Sequence, residues 1–160
     1  MNKIMMALAL SAVLVPISAS ALGYAGAGVG SSKTETRKTS YKVFGGFITS
    51  ETLGYEVAYN NFAGYPGARA ESWSIAVVKS LPLDNDWDIF GKLGLTENFT
   101  IISGSSRHMD LLAGVGIGYN VSKDISVRFE YEDFGRLPNP ANVGSVSVSN
   151  WGFNVKFTVR

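Results

Sequence analysis

Residues 124–134 read DISVRFEYEDF, and large apolar side chains occupy every second position: Ile125, Val127, Phe129 and Tyr131. The positions between them carry polar or charged side chains. Alternation with a period of two is typical of a β-strand that has one apolar and one charged face. In a soluble protein the apolar face packs into the core, whereas in a membrane barrel it faces lipid and the charged face lines the lumen. The rest of the chain has to discriminate between these two arrangements.

The length and composition of the chain favour a single all-β domain. The chain has 160 residues, with 18 Gly, 9 Phe, 7 Tyr and 3 Trp. Abundant Gly and aromatic residues without helical periodicity are typical of many short strands. The sequence has no Cys and a single His, which excludes disulfides and thiolate metal sites. We therefore expect neither a cofactor nor a metal centre.

The N-terminus has the pattern of a secretory signal peptide. Lys3 precedes an apolar run over residues 4–15, which is too short to span a bilayer as a helix. The small residues at 19–21 fit a cleavage site, so we predict a signal peptide over residues 1–21, with an N-terminal membrane anchor as the alternative. Loss of Lys3 leaves 13 of the 14 basic side chains against 13 acidic ones in residues 22–160. A neutral domain gives no electrostatic reason to expect a nucleic-acid partner.

The mature region divides into segments of alternating hydrophobicity. Their connections alternate between short ones, such as PLDND at 82–86, and long ones, such as GRLPNPANVGS at 135–145. This predicts an all-β, eight-stranded antiparallel up-and-down transmembrane barrel, with short periplasmic turns, longer extracellular loops and both termini in the periplasm. The eight segments are residues 23–30, 41–48, 53–62, 71–81, 87–99, 109–121, 125–134 and 146–159.

The non-apolar faces of these segments suit a narrow lumen. On the sixth segment, Leu111, Val115 and Ile117 share one face, and the opposite face is rich in Gly. Only 17% of the chain is charged, too little for the wet exterior of a soluble sandwich. An eight-stranded barrel is just wide enough for side chains to fill, and closure is required in lipid. We expect aromatic girdles from Tyr24, Tyr41, Trp73, Trp87, Tyr119, Tyr131, Phe134 and Trp151, although Tyr24 has interior parity.

Several motifs in order resemble a known family. The sequence is similar to the OmpA-like outer-membrane β-barrels, meaning the transmembrane domain of outer-membrane protein A and its short relatives. The resemblance implies an eight-stranded barrel in a Gram-negative outer membrane. The motifs are VFGGF at 43–47, GYEVAY at 54–59, LPLDNDWDIFGKLGL at 81–95, GVGIGYNVSKDISVRFEYEDFG at 114–135 and WGFNVKF at 151–157.

The end of the chain departs from the family pattern in two ways. Barrels of this family usually end in an aromatic residue that the barrel assembly machinery recognises. Here the register that places Phe157 on lipid ends in Val159 and Arg160. Outer-membrane protein A also carries a periplasmic peptidoglycan-binding domain. This sequence stops at the eighth strand, so we do not expect cell-wall tethering.

Ionisable side chains with inward parity form the main candidate site. They comprise acids and bases in equal number: Glu56, Glu130 and Glu132 against Lys92, Arg128 and Lys156. In one interpretation, Arg128 bonds to Glu56 or Glu130 and gates a narrow water path. In the other, the charges form a packed plug and pair because an unpaired buried charge is costly. The resemblance is consistent with either, since its relatives have Arg and Glu pairs across the lumen.

The first long connection, residues 31–40, carries a group of basic residues. Lys33, Arg37 and Lys38 lie in it, and Lys42 follows just beyond. At the outer rim such side chains are suited to binding lipopolysaccharide phosphates. The alternative is an ordinary solvated loop.

His108 raises the question of an enzyme. It lies near Ser105, Ser106 and Asp110 at the predicted outer rim, and a Ser, a His and an acid are the elements of a hydrolytic triad. A Ser-rich stretch is equally ordinary turn chemistry. We expect a non-enzymatic barrel that supports envelope integrity and forms at most a narrow, gated pore. The alternative is a small barrel enzyme that modifies lipid A or phospholipid.

A third alternative is a secreted soluble barrel that binds an apolar ligand. It needs an apolar interior, and the inward parity of Glu56, Arg128 and Glu130 argues against it. Nothing in the sequence indicates an oligomer, so we expect a monomer. Its partners would be outer-membrane lipid, lipopolysaccharide and the assembly machinery.

Overall fold

The computed structural model describes residues 22–33, 37–62, 69–101, 105–139 and 144–159. These residues form one closed antiparallel barrel, whose strands follow each other in chain order. The predicted eight-stranded up-and-down architecture is therefore confirmed. The strands are β1 Leu22–Lys33, β2 Arg37–Ser50, β3 Leu53–Phe62, β4 Arg69–Pro82, β5 Trp87–Ile101, β6 Ser105–Asn120, β7 Ile125–Asn139 and β8 Gly144–Val159.

Pairing of the first strand with the last closes the barrel. Tyr24 on β1 pairs with Gly46 on β2 and with Thr158 on β8. Among the described residues every strand thus has two hydrogen-bonded neighbours, so the sheet has no free edge strand. No helix among the described residues is long and apolar enough to cross a bilayer. The proposed signal peptide, residues 1–21, lies outside the described residues.

The two ends of the barrel differ, and we name them after their connections. At the turn end lie Leu22, Val159 and three short turns, residues 51–52, 83–86 and 121–124. In the second of these, Asp84 Oδ1 accepts the backbone N–H of Trp87 at 2.7 Å. Such Asx geometry is why a short Asp- and Asn-rich stretch reverses the chain here. The opposite end, where the strands continue beyond the apolar segments of the sequence, is the loop end.

The strands extend further at the loop end than the sequence pattern predicted. The β1–β2 pairing continues to Lys33 and Arg37, and the β7–β8 pairing continues to Asn139 and Gly144. Alternating hydrophobicity arises where one face meets an apolar phase. Beyond that zone both faces are wet, so the pattern disappears although the hydrogen-bonded ladder continues. The predicted boundaries therefore mark the apolar band rather than the whole strands.

A β-bulge interrupts β7 between Asp133 and Arg136. Gly135 has a φ of 68°, in the left-handed region that Gly adopts without strain. Asp133 Oδ1 accepts its N–H at 2.9 Å, and Asp110 Oδ2 accepts the Arg136 N–H at 2.9 Å. The bulge therefore has a side-chain partner on the neighbouring strand β6.

The two faces of the wall have opposite chemistry. Outward side chains such as Leu93 and Val115 are more than 60% exposed, which is the arrangement that lipid requires. Aromatic pairs lie on this face, including Trp87 with Tyr119 and Tyr59 with Trp73. Our assignment of Phe134 to a girdle is wrong, because even positions of β7 face inward and Phe134 is fully buried. Tyr24 also lies inside, in line with its interior parity.

Candidate functional site

Six ionisable side chains meet in the middle of the lumen, and we call them the charged layer. They come from β2, β3, β5 and β7, and each is at most 5% exposed. Three of them are bases and three are acids, so their formal charges cancel. The charged layer consists of Lys42, Glu56, Lys92, Arg128, Glu130 and Glu132.

Lys92 lies at the centre of the charged layer. Its Nζ is 2.7 Å from Glu56 Oε1, 2.5 Å from Glu130 Oε2 and 3.2 Å from Glu132 Oε1. One ammonium thus neutralises carboxylates on two strands, β3 and β7. A Lys ammonium has three N–H donors, and Lys92 donates hydrogen bonds to Glu56 Oε1 and Glu132 Oε1.

Lys42 forms the second cationic centre, and the predicted lumen set omits it. Its Nζ lies 2.6 Å from Glu130 Oε1 and 2.7 Å from Glu132 Oε1, with Glu56 Oε1 at 3.5 Å. The sequence places Lys42 just beyond the basic residues of the first connection. Its even parity on β2, shared with the buried Phe44, is the signal that places it inside.

The sequence left open whether Arg128 pairs with Glu56 or with Glu130, and in the structure it pairs with Glu56. Its Nη1 is 3.3 Å from Glu56 Oε2. The guanidinium lies 4.8 Å from the centre of the Phe90 ring and 5.7 Å from that of Tyr24. Contacts with ring faces stabilise a desolvated cation, so Arg128 is held on several sides.

Lys156 does not belong to the charged layer, which corrects our predicted set. Among the described residues it forms no ion pair, and its Nζ lies 5.5 Å from the centre of the Tyr24 ring. It lines a vestibule of about 200 Å³ at the turn end, together with Asp88 and Arg128. Lys42 takes the place we predicted for Lys156, so the count of acids and bases is unchanged but one member differs.

Glycines make room for the large side chains of the lumen. A Cβ on Gly116 would overlap the Phe90 ring, and one on Gly28 would overlap the amide of Asn154. That amide in turn donates from Nδ2 to Glu130 Oε1 at 2.8 Å. The Gly-rich stretches of β1 and β6 therefore serve packing inside the lumen.

An apolar group closes the lumen on the loop side of the charged layer, and we call it the apolar cap. Phe62 and Phe134 contact edge to face, with ring centres 5.0 Å apart. Along β7 the order from the turn end is Arg128, Glu130, Glu132 and then Phe134, so the cap lies directly beyond the acids. The cap consists of Phe62, Ala70, Leu112, Phe134 and Val148, each at most 2% exposed.

This arrangement supports structural chemistry rather than ligand chemistry. Burying charges is expensive unless each is paired, and breaking one pair leaves the other charge uncompensated. The charged layer meets that condition with seven close N–O contacts within the described part of the chain. The same residues contain no group of His, Cys, Asp and Glu that would hold a metal ion.

The basic rim residues lie at the tip of the β1–β2 hairpin. Lys33 and Arg37 are exposed and pair directly with each other across the ladder, and Lys38 lies half-buried beside them, opposite Ser32. They are therefore on strand ends rather than in a ten-residue loop. Like charges placed directly opposite each other repel.

His108 lies exposed at the loop end of β6. Its Nε2 is 3.9 Å from Asp110 Oδ2. The same carboxylate already accepts backbone N–H groups of Leu111 and Arg136. The side chains of Ser105 and Ser106, the candidate nucleophiles of the sequence analysis, lie outside the described part of the chain.

The chain is similar to a family and to several solved barrels. The profile of the family described as OmpA-like transmembrane domain matches residues 19–158. No functionally curated protein is significantly similar in sequence. Neisserial surface protein A superposes with a TM-score of 0.64 at 14% identity, over 87% of this chain and 97% of that one.

Two further solved barrels show the range of proteins that share this fold. The N-terminal β-barrel domain of OprF from Pseudomonas aeruginosa gives a TM-score of 0.61 at 9% identity, over 88% of this chain and 98% of that one. The outer membrane enzyme PagL gives 0.55 at 13% identity, over 85% and 99% of the respective chains. At such identities the similarity shows the fold alone.

Proposed function

Because the chain belongs to the OmpA-like transmembrane domain family, we propose that it is a non-enzymatic structural protein of the Gram-negative outer membrane. Its lumen is a solid, closed core, and its loop end presents the surface that meets the exterior. In this role the barrel supports envelope integrity by adding a rigid, lipid-anchored element to the membrane.

The observation that carries this proposal is that each member of the charged layer, beneath the apolar cap, forms at least one ion pair. The vestibule at the turn end reaches Arg128 and Tyr24, which are among its lining residues. Beyond it lie paired charges that are at most 5% exposed, and then apolar side chains. A path for solutes needs a wetted lumen, so this packing favours a plug over a permanently open pore.

Planar bilayer recordings test the closed lumen. We expect no single-channel openings from the purified wild-type protein or from Arg128→Ala, because Lys42, Lys92 and the cap still fill the cross-section. Openings in the wild type contradict the closed lumen. Openings that appear only in Arg128→Ala assign the gate to that side chain, as the pore alternative requires.

We base the orientation on the stretches between the apolar segments of the sequence, which have 8–11 residues at the loop end and 3–5 at the turn end. Barrels of the outer membrane have short periplasmic turns and longer extracellular connections. The turn end, with Leu22 and Val159, therefore faces the periplasm, and the barrel is a monomer inserted by the assembly machinery. Phe157, which faces outward and is 51% exposed, is the aromatic nearest the end of β8 available to that machinery.

A lipopolysaccharide contact at the loop end is favoured by the pairing of Lys33 with Arg37. An anionic phosphate between them would relieve their repulsion through charge-assisted hydrogen bonds, and Lys38 lies beside them. We expect Lys33→Gln with Arg37→Gln to weaken lipopolysaccharide binding in low salt. Lys123→Gln, in a turn at the other end, is the control. Equal binding by both variants argues for a merely solvated tip.

The enzymatic alternative is tested by lipid turnover. PagL is described as an outer membrane enzyme, so the fold itself does not exclude catalysis. The proposal rests on the Asp110 carboxylate, which is engaged with the β7 backbone rather than dedicated to His108. We expect no release of acyl chains from labelled lipid A or phospholipid. Any turnover that His108→Ala abolishes overturns the non-enzymatic assignment.

A further inference from the structure

A shallow groove of about 460 Å³ crosses the outer wall of the barrel. It follows one row of directly paired residues on neighbouring strands: Lys79, Gly91, Val115, Tyr131 and Trp151. We call it the inclined groove. Four interstrand steps of about 4.8 Å give it a length of about 19 Å.

The inclined groove climbs away from the turn end. Lys79 lies three positions before Pro82, the last residue of β4, whereas Trp151 lies eight positions before Val159 at the end of β8. The row is perpendicular to strands that are themselves tilted in a membrane barrel. It therefore runs obliquely through the apolar band, from one interface toward the middle of the membrane.

Gly91 creates the floor of the inclined groove. Gly91 occupies an outward position of β5, between the exposed Ile89 and Leu93. These two neighbours project their side chains from the outer wall, whereas Gly91 has no side chain to project. A Cβ placed on Gly91 would meet only Gly114 O, at 3.9 Å. The space above Gly91 is therefore open, and no packing constraint within the barrel accounts for the missing side chain.

Lys79 gives the inclined groove a cationic end. Among the described strand residues it is the one Lys, Arg, Asp or Glu that faces outward in the turn half of the barrel. Its Nζ donates to Thr52 Oγ1 at 2.7 Å, which draws the ammonium to the level of the 51–52 turn. Two of the three ammonium donors stay available for an anion at the membrane surface.

We propose that the inclined groove binds one glycerophospholipid of the inner leaflet, with an acyl chain along the groove and the headgroup phosphate on Lys79. Charge complementarity identifies the headgroup, since an ammonium at an interface pairs with a phosphodiester. The apolar walls, including Trp151 and Val115, indicate that the part of the lipid in the groove is an acyl chain. The assignment to the inner leaflet rests on the orientation given under the proposed function, because lipopolysaccharide occupies the outer leaflet.

Native mass spectrometry of the full chain with titrated phosphatidylglycerol tests the site. We expect one retained lipid on the wild type and at least a ten-fold weaker retention in Gly91→Leu, which fills the floor without displacing backbone. Lys79→Gln should weaken retention several-fold. The matched control is Gly23→Leu, since a Cβ on Gly23 meets nothing within 4 Å and lies away from the groove.

Each other outcome overturns the proposal. Equal retention by Gly91→Leu and the wild type means that lipid binds without the groove. A matching loss in Gly23→Leu means that the lipid is only a general coat. Preferential retention of lipid A assigns the groove to the other leaflet, and a dimer that Gly91→Leu dissociates assigns it to a second copy of the chain.

Thiol labelling separates a wrong site from a wrong orientation. The described residues contain no cysteine and the sequence has none, so Asn85→Cys in the 83–86 turn gives a single reporter. We expect a membrane-impermeant reagent to leave it unlabelled in intact cells. Labelling overturns the orientation and the inner-leaflet assignment together, while the mass spectra still report separately whether the groove holds a lipid.

Discussion

The charged layer and the apolar cap fill neighbouring sections of one lumen by opposite means. Lys92 contacts three carboxylates, whereas Phe134 contacts other hydrocarbon side chains. Pairing blocks ions but fails when one partner is removed, because the remaining charge is buried without compensation. Hydrocarbon packing excludes water and tolerates changes that conserve volume. The two sections should therefore differ in how they respond to conservative substitution.

Lys92→Met should produce the largest loss of stability. The side chain keeps nearly the same length, but the acids Glu56, Glu130 and Glu132 then share only Lys42 and Arg128. We expect the free energy of unfolding to fall by about 3–5 kcal/mol, the range for breaking a buried pair. Urea titration in lipid vesicles, followed by tryptophan fluorescence, measures the change.

Lys156→Met is the matched control for the charged layer. Lys156 also lies inside the barrel but forms no ion pair among the described residues. Its substitution should change the free energy of unfolding by less than about 1 kcal/mol. If the two Met variants lose equal stability, desolvation of any lumen lysine matters more than the pairing seen here.

Phe134→Ala should destabilise the apolar cap by less, about 3 kcal/mol, the lower end of the range for truncating a buried aromatic residue. The cavity lies near the loop end, where water enters and replaces part of the lost contact. Phe134→Leu conserves most of the volume and should cost under about 1.5 kcal/mol. The same urea titration compares the two variants. Equal losses of stability in Phe134→Ala and Phe134→Leu would contradict the claim that the cap depends only on packed volume.

Parity along each strand carried most of the information in the sequence. It placed Glu56, Lys92, Arg128, Glu130 and Glu132 inside, where the structure brings them within ion-pairing distance. A residue's depth along the axis was harder to assign, since it depends on how far neighbouring strands are staggered. Inward residues at similar distances from their strand starts therefore need not touch.

Lys42, Lys156 and Phe134 illustrate what that limit means. Parity alone assigns Lys42 and Phe134 to the lumen, but a basic cluster and an aromatic girdle offered competing interpretations of the same residues. For Lys156, parity correctly indicated the lumen but not the depth, and its position on β8 places it at the vestibule. The β7 bulge was also beyond the pattern, as its partner Asp110 lies on another strand.

Asn98→Ala tests how the bulge holds the apolar cap in place. Asn98 is fully buried on β5, and its Nδ2 donates to the carbonyl oxygens of Phe134 at 2.7 Å and Arg136 at 3.1 Å. Removing it leaves backbone acceptors without this donor, so we expect a loss of about 2 kcal/mol in the free energy of unfolding. Urea titration measures it.

Ser32→Ala is the control for Asn98→Ala. Ser32 Oγ donates a single 3.3 Å bond to Lys38 O, away from the cap. That bond is long and only partly buried, so its loss should cost under about 1 kcal/mol. If Ser32→Ala loses as much stability as Asn98→Ala, then hydrogen bonds at the loop end contribute equally to stability whether or not they contact the cap.

Of the substitutions in or beside the apolar cap, Gly135→Ala should lower the free energy of unfolding the least. Its φ of 68° is unfavourable for Ala, and the new Cβ would meet the Asp110 carboxylate, which is able to swing toward solvent. We expect a loss of about 1 kcal/mol by urea titration. Gly23→Ala, with open space and no positive φ, should be neutral or slightly stabilising. If both behave alike, the bulge does not need its left-handed residue, and the register of β7 rather than local backbone geometry directs Phe134 into the lumen.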